Sequence, residues 1–273
     1  MSGERPLGLR LKDEDHKYLE DESARPTFAA DDTPVPKTID LRGVIKLDNQ
    51  LEMGSCGGHA GAHGAAGLNW ICSAGDSVQR FSRMFLYLMA QKLDGLLGRD
   101  QGCTISGLVK AMKTYGVCLE KDFQYPARYH TNVPQSALKA ASGHKLIEHV
   151  KFRNYEEVFH FMSRKHGVVL GGIPWTTGWD QCNGVAERSN VLSGRERGGH
   201  AQAWLGYSNR RDRSGRKYLW QANSHGDRWA NGGWCETSPD LLQMYIDDRN
   251  SEIIGIRLFD VVMPETLDVR IGG

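Results

Sequence analysis

Apolar positions change their period partway along the chain. Over residues 77–96 they recur at helical spacing, with Phe81, Met84, Phe85, Leu88 and Met89 among them, which predicts an amphipathic helix. Residues 108–115 predict another, closed by Gly116 as a C-terminal cap. From about residue 145 strand-like alternation takes over. Strands are predicted over 145–152, 167–174, 200–207, 217–223 and 253–262, with a short helix at 155–165 between them. This order describes an α+β chain: a mainly helical part at 37–145 followed by a mainly β part at 146–273.

Four stretches do not fit simple periodicity. Residues 1–36 are polar and charged and end in Thr33-Pro34-Val35-Pro36, although Leu7-Gly8-Leu9-Arg10-Leu11 alternates like a short strand and a charged turn follows at 13–18. This extension reads as a surface arm or as a short strap across a cleft. Residues 56–67 carry Gly57, Gly58, Gly61, Gly64 and Gly67, each costing a helix roughly 1 kcal/mol. A helix there requires neighbouring backbone packed too closely for side chains. Residues 175–198 form a long polar connection predicted to overhang a cleft, and 210–217 a solvated hairpin turn around Ser214-Gly215.

Composition narrows the classes. A 273-residue chain with 40% hydrophobic and 25% charged residues can bury a sizeable core. The net charge of +1 argues against a polybasic nucleic-acid or membrane-surface partner. No apolar run approaches the roughly 18 residues of a membrane span, nor does the N-terminus carry a secretory signal. The expected location is therefore cytoplasmic. Six cysteines are present, at 56, 72, 103, 118, 182 and 235, and are expected to be mostly buried free thiols.

The chemistry concentrates around Cys56. A thiol on the first turn of a helix sits in the positive end of the peptide dipoles, which favours thiolate. Gln50 lies six residues earlier, where a returning loop brings its amide beside the sulfur; with the Cys56 N–H it makes a two-donor oxyanion site. A base and an orienting group follow. His200 opens a strand after Gly198-Gly199, and Asn223 ends the next strand in Asn223-Ser224-His225-Gly226. Cys, His and Asn in this order form a nucleophile, a general base and its orienter. The spacing Cys56, His59, His63 also suggests three metal ligands on a helix, a competing reading that leaves Gln50, His200 and Asn223 without a role.

Over residues 35–262 the chain resembles papain-like cysteine peptidases, notably compact bacterial and viral members with short N-terminal extensions. The residues that carry the likeness are Gln50 with Gly54-Ser55-Cys56, the opening segment at 35–42, the run from Gly198 to Tyr207, and Asn223 with Trp229 and Gly233-Trp234 beyond it. The resemblance implies a helical half facing an antiparallel, β-barrel-like half, with Cys56 and His200 across the groove. It implies peptide-bond hydrolysis through an acyl-enzyme, a polypeptide substrate, no metal and no organic cofactor, with substrate contacts at Gly198, Gly199, Ser106 and Trp229. The segment 35–42 is expected to cross and pair with the β half.

Departures from the pattern carry expectations of their own. Gly57 replaces an aromatic, and Met53 replaces a disulfide cysteine, leaving Cys103 without that partner. His225 replaces the tryptophan that shields the His–Asn hydrogen bond, so the bond is expected to be open to water. Gly57 and His225 keep two alternatives in view: a catalytically inactive papain-fold binding or structural protein, and a thiol acyltransferase or amidase using the same acyl-enzyme chemistry.

Overall fold

Glycines seat the first helix against its neighbours. The computed structural model describes residues 6–11 and 34–261. The charged turn expected at 13–18, the rest of the N-terminal extension and the chain after Val261 lie outside the described residues. The first helix, α1, runs Cys56–Cys72 straight through the glycine run. A Cβ on Gly58 would lie 2.2 Å from the carbonyl oxygen of Arg83, and one on Gly61 2.8 Å from the Leu108 side chain. Cβ atoms on Gly64 and Gly67 would meet Leu170 at 2.8 Å and Val168 at 2.9 Å. The poor helix propensity of these residues is therefore offset by close apolar packing on several sides.

Helices α2 (Arg83–Leu93), α3 (Ile105–Thr114) and α4 (Gln135–Ala141) follow. Helix α2 is shorter than the pattern over 77–96 predicts. The Ser82 hydroxyl caps it by accepting from the Phe85 N–H, while Phe81 bridges to Leu119 in extended backbone. The Thr104 hydroxyl caps α3 through the Gly107 N–H, and Gly116 beyond its end takes φ +82° as expected of a C-terminal glycine.

The remaining elements are β1 (His144–Lys151), α5 (Tyr155–Ser163), β2 (Val168–Thr176), α6 (Thr177–Asp180), β3 (Val185–Ala186), α7 (Arg188–Val191), β4 (Glu196–Arg211), β5 (Lys217–Ala222), β6 (Trp234–Thr237), α8 (Pro239–Asp247) and β7 (Glu252–Val261). The strands form one sheet in the order β1-β7-β2-β4-β5-β6-β3, antiparallel except where β3 joins β6. The opening segment pairs as expected: Ile39 and Tyr207 exchange backbone hydrogen bonds of 3.1 and 2.9 Å. Gly215 makes the β4–β5 turn at φ +88°.

The connection over 175–198 differs from the overhanging loop that its polarity suggested. It contains α6, β3 and α7, and its two tryptophans are buried: Trp175 and Trp179 stack at a ring separation of 4.8 Å. Asp180 holds the segment from both sides, accepting from Trp175 Nε1 at 3.0 Å and pairing with Arg197 at 2.7 Å. The polar letters in the sequence hid an internal apolar anchor.

Candidate active site

Cys56 begins α1 and is fully buried. Ahead of it, Gln50 is fixed from every side. Its N–H donates to Ser224 O at 2.8 Å, its Nε2 to Met53 O at 2.8 Å, and its Oε1 accepts from the Ser224 hydroxyl at 2.5 Å. The Tyr125 hydroxyl closes the same corner, donating to Gln50 O at 2.8 Å and meeting the Ser55 hydroxyl at 2.6 Å. The backbone of Asn49 bridges antiparallel to His225. The Gln50 loop and the Asn223 turn are thus one hydrogen-bonded unit.

His200 lies in β4, buried, with Nε2 2.7 Å from Asn223 Oδ1. The Asn223 oxygen also accepts from the Ser224 N–H at 2.7 Å, which fixes the amide. The other imidazole nitrogen, Nδ1, has no hydrogen-bond partner among the described residues. The next residue, Ala201, lies close enough for its backbone to favour the Cys56 thiolate, as do the backbone groups of Gly8 and Gly57. The thiol and the strand that carries His200 therefore adjoin. His200 also packs against Trp175 at 4.4 Å and His225 at 4.5 Å between ring centres.

The expected exposure of the His200–Asn223 bond is not what the structure contains. Asn223 is 1% exposed and His200 0%. The His225 ring lies tilted by 31° over the imidazole, and Trp175 covers it from another side, so two rings do what one tryptophan was expected to do. Trp229 stands one layer further out, its Nε1 donating to Trp179 O at 3.0 Å.

A segment from the other end of the chain crosses this site. The Leu9 N–H donates to Gly199 O at 3.2 Å, Arg10 N–H to Cys103 O at 3.0 Å, and Cys103 N–H to Gly8 O at 3.1 Å. Leu9 runs antiparallel to Gly199 and parallel to Cys103. The seat is cut for glycine: a Cβ on Gly8 would stand 1.8 Å from Gly54 O, and one on Gly102 would stand 2.0 Å from Gly8 O. The Leu9 side chain packs over Gly172 and Ile105. The alternation of Leu7, Leu9 and Leu11 was visible in the sequence, but nothing there gave its partners.

The remaining expected contacts divide. Gly199 lies under the crossing segment, and Gly198 beside it takes φ +130°. Ser106 instead turns its hydroxyl to the Glu252 carboxylate, so its polar group is already engaged by β7. Glu252 and Trp175 had no motif to mark them. Gly57 finds its reason here as well: a Cβ at that position would fall 2.5 Å from Cys103 Sγ, leaving no room for an aromatic side chain. His59 is engaged elsewhere, its Nδ1 3.1 Å from Ser55 O and its ring against Tyr125.

Burial sets the ionisation of the pair. It pushes the Cys56 thiol up to about 11, against the opposing pull of the backbone groups of Ala201, Gly8, Gly57 and Cys56. It holds the His200 imidazole down to about 4, although the Asn223 hydrogen bond favours the charged ring. Under the crossing segment both groups are neutral at ordinary pH.

No family model matches this chain, and no curated protein is similar to it in sequence. Solved structures are similar in fold. Xylellain, a cysteine protease from Xylella fastidiosa, superposes with a TM-score of 0.68 at 19% identity, over 94% of this chain and 98% of its own. Procathepsin B S9 from Trypanosoma congolense gives 0.64 at 16% identity, over 93% and 87%. Bromelain from Ananas comosus, in complex with the E64 inhibitor, gives 0.61 at 18% identity, over 82% and 100%. The chain has the papain-like cysteine protease fold.

Proposed function

We propose that this chain is a cysteine peptidase that cleaves polypeptides through an acyl-enzyme. Cys56 is the nucleophile, His200 takes the thiol proton and later gives it to the leaving amine, and Asn223 orients the ring. Gln50 spends one amide hydrogen on Met53 O, so its second hydrogen and the Cys56 N–H form the oxyanion site. One observation carries the reading: His200 Nε2 is held by Asn223 while Nδ1 has no hydrogen-bond partner among the described residues, on the strand that adjoins the Cys56 sulfur.

The segment at 7–11 acts, on this reading, as an inhibitory strap. It occupies the groove between Gly199 and Cys103 and removes water from the thiol and the imidazole, which keeps both uncharged. Its departure re-solvates the pair and allows thiolate and imidazolium to form. The same neutral pair would suit a papain-fold protein that binds without turnover, so the test must separate the two.

That test is covalent labelling with an epoxysuccinyl thiol-protease inhibitor, read by intact mass. Full-length protein, a form lacking residues 1–36, and Cys56→Ala and His200→Ala variants are compared. Labelling of the shortened form that depends on both Cys56 and His200 is expected. If folded full-length and shortened proteins both stay unlabelled, the peptidase reading fails and the binding-protein reading replaces it.

A further inference from the structure

Cys182 and Cys235 are a thiol pair that the proposed chemistry does not use. Cys182 follows α6 and is 7% exposed; Cys235 lies in β6 and is fully buried. The sheet brings them together: Val185 pairs in parallel with Glu236, and the Glu236 N–H donates to Gly184 O at 2.9 Å, so the segment leaving Cys182 runs beside the strand that holds Cys235. Their thiols lie near enough for each to act on the other's ionisation, and both are free.

We propose that Cys182 and Cys235 form a peroxide-oxidisable dithiol, with Cys182 as the attacking sulfur and Cys235 as the resolving one. The two cysteines differ in the way such a division of labour requires. Cys182 is the less buried of the two, 7% against 0%, and its thiolate is favoured first by the neighbouring Cys235 thiol, then by the backbone groups of Gly184 and Val185. These hold it near about 7 against the opposing effect of burial. Cys235 is driven well upward by burial and by the neighbouring Cys182 thiol, so it stays protonated until needed.

The step balances with hydrogen peroxide as oxidant. The Cys182 thiolate attacks one peroxide oxygen; the O–O bond breaks, giving a sulfenic acid and hydroxide, which takes the proton Cys182 had released and leaves as water. The Cys235 sulfur then attacks the sulfenic sulfur, the S–O bond breaks, and the departing hydroxide takes the Cys235 proton as a second water. Two thiols and one peroxide become one disulfide and two waters. The crosslink would staple the 175–198 connection to β6, directly after the turn in which the Cys182 N–H bonds Trp179 O at 3.1 Å.

The experiment treats full-length protein with hydrogen peroxide near neutral pH, blocks remaining thiols with iodoacetamide in denaturant and maps peptides without reduction. A crosslinked Cys182–Cys235 peptide, two hydrogens lighter than the sum of its parts and lost on reduction, is expected. In Cys235→Ser, dimedone should trap Cys182 as the sulfenic acid; in Cys182→Ser, Cys235 should remain a thiol. Recovery of both cysteines alkylated in wild type, under peroxide that oxidises the exposed Cys72, would overturn the proposal. So would a Cys182 crosslink to any other cysteine.

Discussion

The Leu9 amide bonds the Gly199 carbonyl immediately before His200, and this one contact ties the N-terminal segment to the strand that bears the proposed base. It leads to a point test of the strap that needs no deletion. A valine at Gly8 would place its Cβ 1.8 Å from Gly54 O, which the rigid turn ahead of Cys56 cannot yield. Gly8→Val should unseat the strap and raise the rate of Cys56 labelling by about tenfold or more in full-length protein, measured as inactivator consumption over time. An unchanged rate in a folded variant would mean that the segment does not gate the thiol.

Asn223→Ala removes the 2.7 Å contact to His200 Nε2 and leaves a buried ring nitrogen without its partner. The loss of orientation should cost about 1–3 kcal/mol in the transition state, a fall of roughly ten- to a hundredfold in the labelling rate of the strap-free form. Asn223→Asp is the informative companion, since a carboxylate there would stabilise the imidazolium of the reactive pair, raise the imidazole pKa and move the alkaline limb of the rate profile upward.

Gly57 and Cys103 should behave as a coupled pair. Gly57→Ala sets a methyl 2.5 Å from Cys103 Sγ and should destabilise by about 1–3 kcal/mol in urea unfolding. Cys103→Ala removes the obstructing sulfur. The double variant should therefore be more stable than the sum of the two single losses predicts, by about 0.5 kcal/mol or more.

Three buried histidines fix the direction of the pH dependence of stability. Burial holds His63 and His200 down to about 4 and His59 well below its ordinary value, while an unfolded chain protonates them near about 6.5. The folded pKa is the lower one, so the stability is complete above about pH 6.5 and is lost as pH falls toward 4. Each group contributes up to about 1.4 kcal/mol per pH unit in that window. His63, whose ring nitrogens have no hydrogen-bond partner among the described residues, offers the cleanest test: His63→Leu should flatten the acid limb of a urea-unfolding series by about one proton.

How far the sequence could be read depended on whether a signal was local. The strands at 145–152, 167–174, 217–223 and 253–262 are visible because side chains alternate in neighbouring positions, and the structure moves their ends by only a few residues. Cys56, Gln50, His200 and Asn223 stood out because few residue types serve their chemistry. The glycines of α1 read against a helix, since what favours them is the carbonyl of Arg83 and the side chains of Leu108, Leu170 and Val168, all distant in sequence. Helix α8 went unread, and Glu252 has meaning only through Ser106. His225 was misjudged for the same reason: whether it shields depends on Trp175, fifty residues earlier, lying beside it.

Trp175 and Trp179, stacked at 4.8 Å with the first 4.4 Å from His200, also make the molecule its own optical instrument. A stacked indole pair absorbs and emits as a unit, and a protonated imidazole against its face quenches that emission. Protonation of the two imidazoles that touch Trp175, those of His200 and His225, should therefore show in its emission without substrate, label or added dye.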